Sequence, residues 1–141
     1  MRDWREKSQD RLRWERSTPK RCFICGRRRT LSVNHIERRS QCHRPHQDWP
    51  ENLAWVCLTV PYPSLLKWPL ADKLRGLTCH NAMEQMELAE ALALKWSRDR
   101  CGHPNLDSFL SRFLQVRDGP VVKAKNRMTV EEVEHFLRKA A

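Results

Sequence analysis

Four of the six cysteines form a frame that restricts the fold more than any other feature of the chain. Cys22-Phe23-Ile24-Cys25-Gly26 is a CxxC turn followed by glycine. In that geometry two thiolates grip one metal ion while backbone amides approach the sulfurs. Cys57 and Cys79 offer a second thiolate pair. A redox pair of the thioredoxin kind is the alternative for Cys22 and Cys25, but it needs a surrounding βαβ pattern that this segment lacks. The expectation is a structural zinc site on Cys22, Cys25, Cys57 and Cys79.

With 141 residues the chain can build one modest core, or a small site domain with a helical appendage, and a large multidomain enzyme is excluded. The 40% hydrophobic and 31% charged fractions suit a soluble globular protein. No apolar run approaches the ~20 residues that span a bilayer, so no membrane association is expected. The first seven residues are charged throughout and lack the apolar stretch of a secretory signal, which makes the reducing cytoplasm the expected compartment.

Charge is distributed unevenly. Residues 1–46 carry 14 Lys and Arg against 5 Asp and Glu, whereas residues 47–141 carry 13 against 12, so nearly all of the net +10 lies in the N-terminal third. Nineteen of the 27 basic residues are Arg, whose planar fork suits bidentate contact with phosphate oxygens. A clustered basic segment is the electrostatic footprint of a nucleic-acid binder, and the plainer reading is a solvated basic surface.

Residues 1–17 read as a short basic helix or arm ending before Thr18-Pro19, because the residue preceding proline is pushed away from helical geometry. Strand character appears at residues 28–33 and again at 52–58. Residues 60–78 contain Pro61, Pro63, Pro69 and Gly76 and read as loop, with one helical turn across residues 70–74. Residues 81–98 read as one helix, rich in Ala and Leu. A break at Cys101-Gly102-His103-Pro104 precedes a short helix through Phe109, Phe113 and Val116, stopped by Gly119-Pro120. Thr129-Val130-Glu131-Glu132 has capping-box spacing and announces a last helix.

Inside the cysteine frame lie Leu31-Ser32-Val33-Asn34-His35-Ile36, then Glu51-Asn52-Leu53, then Cys79-His80-Asn81. Strand, paired residue, loop, Asn-Leu, second strand, cysteine and helix follow in this order. Over about residues 20–90 the chain resembles the HNH endonuclease superfamily, whose ββα-metal site is commonly held by a zinc-binding cysteine frame. The resemblance implies an α+β fold: a small ββα-metal core with a four-cysteine zinc knuckle, flanked by a basic N-terminal arm (1–19) and a helical C-terminal extension (99–141). The HNH-like domain would span 20–98, with an insertion at about 60–78.

The implied activity is metal-dependent hydrolysis of DNA phosphodiester bonds, by nicking or cleavage. His35 would be the general base that activates water, a task suited to an imidazole titrating near neutral pH. Asn34 and His80 would bind a catalytic divalent ion (Mg²⁺, Mn²⁺, Ni²⁺ or Zn²⁺) that neutralises the scissile phosphate. Asn52 would fix the loop between the strands and orient His35. The alternative function is a catalytically weak or inactive zinc-stabilised nucleic-acid-binding module.

Two departures from the family pattern stand out. Asn34 offers a neutral amide oxygen where a carboxylate or imidazole is usual, and Glu84, four residues beyond His80, is a further candidate ligand or else simply faces solvent. The second thiolate pair is split by 19 residues, without which the chain would read Cys-Leu-Thr-Cys-His-Asn. Lengthening the spacer from 2 to 21 residues costs roughly 2 kcal/mol in closure entropy. Structural zinc contributes ~10–16 kcal/mol, so the site survives that cost.

The remaining candidates concern other contacts. Cys42-His43-Arg44-Pro45-His46 could bind a metal or touch substrate, and Cys101-Gly102-His103 is a lesser candidate beside a turn with a partly buried thiol. Arg38 and Arg39 are expected phosphate contacts, and Arg27, Arg28 and Arg29 a general backbone clamp on DNA.

Overall fold

The computed structural model describes residues 8–38, 42, 46–116 and 128–140. Helix α1 (Gln9–Ser17) starts at Ser8, whose Oγ accepts from Arg11 N at 3.1 Å. It ends at Thr18, whose extended backbone precedes Pro19 as the sequence predicts. Strands β1 (Leu31–His35) and β2 (Leu53–Cys57) pair antiparallel, from Leu31 opposite Cys57 to His35 opposite Leu53. The strand expected at residues 28–33 therefore sits later along the chain. Thr30, at φ 60°, marks the turn that keeps the arginine run out of the ladder.

The register assigns each side chain to a face, because successive residues of a strand point to opposite sides. Ser32, Asn34, Ala54 and Val56 share one face, and Ala54 and Val56 belong to the main core with helix α2 (Cys79–Gln85) and helix α3 (Leu88–Arg98). Val33, His35, Leu53 and Trp55 share the other, where Trp14 of α1 stacks on Trp55 with ring centroids 5.5 Å apart. With both faces covered, all five residues of β2 are buried.

The helix expected over residues 81–98 is two helices. Met86 and Glu87 have extended backbones (ψ 147° and 144°), so the chain turns between α2 and α3. No Gly or Pro marks this break. Packing imposes it: α2 must present Cys79 beside the other thiols, while α3 lies in the core with nine buried residues in succession from Leu88 to Trp96.

The insertion is anchored. Residues 60–78 contain two 3-10 turns, Pro63–Leu65 and Asp72–Leu74, and bury Trp68, Leu70 and Leu74 in the main core. The second turn replaces the helical turn expected across 70–74. Cys79 N donates to Thr59 O at 3.1 Å, so the excursion leaves and re-enters the fold at one place.

Helix α4 (Leu106–Val116) buries Phe109, Leu110, Phe113 and Val116 at helical spacing, and helix α5 (Val130–Ala140) packs on α3 through Val133. The capping box at its start is formed: Thr129 Oγ1 accepts from Glu132 N at 3.2 Å and donates to Glu132 Oε1 at 3.1 Å. The fold is mixed α+β, with five helices and one two-stranded antiparallel sheet among the described residues. None of these helices is long and apolar enough to cross a membrane.

Candidate metal centre and neighbouring polar network

Cys22 and Cys25 sit on a tight knuckle that Gly26 closes. Gly26 N donates to Cys22 O at 2.9 Å and Cys22 N donates to Arg27 O at 2.8 Å, which needs the positive φ of 80° at Gly26. Cys57 ends β2, and Cys79 opens α2 behind its N-cap Thr78. The four sulfurs lie within 4.8 Å of one another, all in buried residues, and Cys25 Sγ is 3.6 Å from Cys57 Sγ. A tetrahedral ion bound at ~2.3 Å by four thiolates sets its sulfurs about 3.8 Å apart. The donor set therefore fits a structural zinc ion, and all four cysteines are free of disulfides.

The protons of this cluster are strongly coupled. A hydrogen bond with Cys79, assisted by backbone donors, lowers the Cys22 thiol to about 5 against the opposing effect of burial. Cys79 is raised in turn, first by the same hydrogen bond and then by burial, while burial pushes Cys25 up to about 11. A divalent cation at this cluster would favour the thiolate form of all four.

At the far end of β1, His35 Nε2 lies 2.6 Å from Asp48 Oδ1, with both side chains about nine-tenths buried. Burial alone would raise the Asp48 carboxyl, but hydrogen bonds from His35 and Ser8 and the charge of Arg11 outweigh it and hold Asp48 below the ordinary carboxylate range. Asn52 bonds to the loop backbone. Its Oδ1 accepts from Glu37 N at 2.7 Å, and its Nδ2 donates to Glu37 O at 3.1 Å and Gln47 O at 2.8 Å. The hydrogen-bond partner of His35 is Asp48, while the Asn52 amide bonds to the backbone of Glu37 and Gln47. Asp48 escaped the sequence reading, since nothing local ties it to a histidine thirteen residues earlier.

Asn34 and His35, adjacent in sequence, leave opposite faces of the sheet. Asn34 Nδ2 donates to Ser32 Oγ at 3.0 Å on the face that α2 covers, whereas His35 lies on the α1 face. His80, on the first turn of α2, is partly exposed, with Nε2 3.7 Å from Glu84 Oε1. Glu84 thus shares the His80 face, as its spacing implies. Among the described residues the four cysteines are the one group of three or more His, Cys, Asp or Glu placed to hold a metal ion.

The other sequence candidates go elsewhere. Cys42 is buried, its Sγ 3.1 Å from Glu37 O and Arg38 O, and burial pushes its thiol up to about 12. His46 stacks on Trp49 at 3.9 Å, while His43, Arg44 and Arg39 lie outside the described residues. Arg28, Arg29 and Arg38 are exposed, and Arg27 lies 5.4 Å from the Tyr62 ring of the insertion. His103 bridges Glu51 Oε2 and Ser108 Oγ at 2.7 Å each, tying the approach to α4 onto the residue before Asn52. Its role is that of a buttress. Comparisons with protein-family models, with curated proteins and with solved structures gave no match.

Proposed function

We propose that the chain is a zinc-clamped phosphodiester hydrolase of the HNH kind, acting on DNA, with His35 as general base. The observation that carries this reading is the His35–Asp48 pair at the end of β1, beside a loop tied down by Asn52. A carboxylate on one ring nitrogen sets the tautomer and orientation of the imidazole and stabilises the imidazolium formed when the other nitrogen takes a proton from water. The water oxygen then bonds to phosphorus as the ester oxygen departs. A divalent ion on the His35 side of the sheet would supply charge neutralisation at the phosphate; Asn34 and His80, to which the resemblance gives that ion, belong to the α2 side. Arg28, Arg29 and Arg38 would grip the backbone on either side.

The test is nicking of supercoiled plasmid by the zinc-loaded chain with Mg²⁺, Mn²⁺, Ni²⁺ or Zn²⁺. His35→Ala is expected to abolish nicking while zinc content and circular dichroism stay unchanged. If His35→Ala cuts as fast as the parent, the reading is wrong.

One observation favours a second reading, a zinc-stabilised nucleic-acid-binding module that does not cleave: Asn34 and His35 project from opposite faces of the sheet. That module would retain DNA in a salt-sensitive manner and leave plasmid intact with every metal.

A further inference from the structure

The bridge by which His103 buttresses α4 has a second capacity. His103 Nε2 lies 2.7 Å from Glu51 Oε2, and its Nδ1 lies 2.7 Å from Ser108 Oγ. A carboxylate only accepts, so Nε2 carries the ring hydrogen toward Glu51 and Nδ1 is left with a lone pair. The Ser108 hydroxyl then donates to Nδ1. Hydroxyl, imidazole and carboxylate thus stand in the order of a nucleophile, its base and the group that orients the base.

The surroundings hold this order in place. Glu51 is buried, and Arg112 Nε lies 4.0 Å from its second oxygen. The fully buried Phe109 stands perpendicular to the imidazole, with ring centroids 5.8 Å apart, and His103 N donates to Arg100 O at 2.9 Å in the turn before α4. Ser108, at the other end of the chain of bonds, keeps part of its surface in solvent. It is the third residue of α4, and because helical Cβ bonds tilt toward the N-terminus its side chain leans over the first turn. Asn105 Oδ1 accepts from Ser108 N at 2.9 Å. The amides of Leu106 and Asp107, which precede it, have no intrahelical acceptor and can donate to a developing oxyanion.

We propose that Ser108, His103 and Glu51 form a second hydrolytic site, which cleaves carboxylic esters through an acyl-serine. His103 Nδ1 takes the hydroxyl proton as Oγ bonds to the carbonyl carbon, and the ester C–O bond breaks as that proton passes to the departing alcohol. Water next gives a proton to Nδ1 while its oxygen bonds to the acyl carbon. The Oγ–C bond breaks, the carboxylic acid leaves and the proton returns to Oγ. Glu51 is a positioning residue, holding the ring and offsetting the charge of the imidazolium. The site shares no residue with the His35–Asp48 pair or the cysteine cluster, so it stands or falls apart from plasmid nicking.

The experiment treats the zinc-loaded full chain with a fluorophosphonate and locates the modified residue by mass spectrometry. One adduct per chain is expected, on Ser108, an Oγ–P bond replacing the P–F bond as fluoride leaves and His103 takes the proton. In parallel, hydrolysis of p-nitrophenyl acetate is expected to saturate with substrate. Ser108→Ala, a partly exposed helical position where alanine suits the backbone, should lower kcat at least tenfold with circular dichroism and zinc content unchanged. Glu51→Gln should lower kcat at least tenfold with KM unchanged, a split that a merely structural contact would not produce. The proposal is overturned if the parent takes no label on Ser108. It is overturned equally if Ser108→Ala hydrolyses the ester as fast as the parent, or if Glu51→Gln keeps the parent's kcat.

Discussion

His35 Nε2 and Asp48 Oδ1, thirteen positions apart in the chain, meet at 2.6 Å and join the end of β1 to the 3-10 turn His46–Asp48. Ser8 and Arg11 add to this junction from α1, so the N-terminal helix, the hairpin and the loop converge on one carboxylate. Because Asp48 is held below its ordinary range, its stabilising effect has a definite sign. Stability is fully present above the unfolded carboxylate pKa of about 3.9 and is lost as pH falls through the lower folded value.

Asp48→Asn is expected to destabilise the fold by about 1–3 kcal/mol at pH 7, since a charge-assisted hydrogen bond to a buried imidazole is lost. It should also flatten the acid limb of a stability profile below about pH 4. Urea unfolding at pH 3, 5 and 7 measures both effects. An unchanged acid limb in the variant would remove Asp48 from the account.

Metal removal is expected to unfold more than the knuckle. The four thiols come from the knuckle, β2 and α2, so one ion bound by them would hold together segments that close an insertion of 19 residues. Zinc content of one per chain is expected. Strong chelation, or Cys57→Ser, should abolish the cooperative thermal transition, consistent with ~10–16 kcal/mol for structural zinc. Atomic absorption and calorimetry on the same sample check this.

Asn52→Ala should cost about 3 kcal/mol. The side chain is fully buried and its amide satisfies the backbone of Glu37 and Gln47, so truncation strands two acceptors and a donor. Chemical denaturation gives the number. Hydrogen exchange at the Glu37 amide should quicken far more than exchange in α3, because the lock is local.

The cysteine positions, strand alternation and capping residues already determined much of the molecule. CxxC followed by Gly26 implies a knuckle from local backbone chemistry alone, Thr129 announces a helix start, and Phe109, Phe113 and Val116 show a buried face. These are short-range matters, decided by sterics and spacing within a few residues. Tertiary structure decided the rest. The break at Met86 and Glu87 has no local cause and exists because Cys79 and Leu92 must satisfy different neighbours. The partner of His35 is Asp48 rather than Asn52 because the Asn52 amide reaches backbone groups that only the folded loop brings near. A cavity over Trp55 arises where α1, the insertion and α3 meet, and contacts between segments so far apart in the chain leave no periodic trace in it.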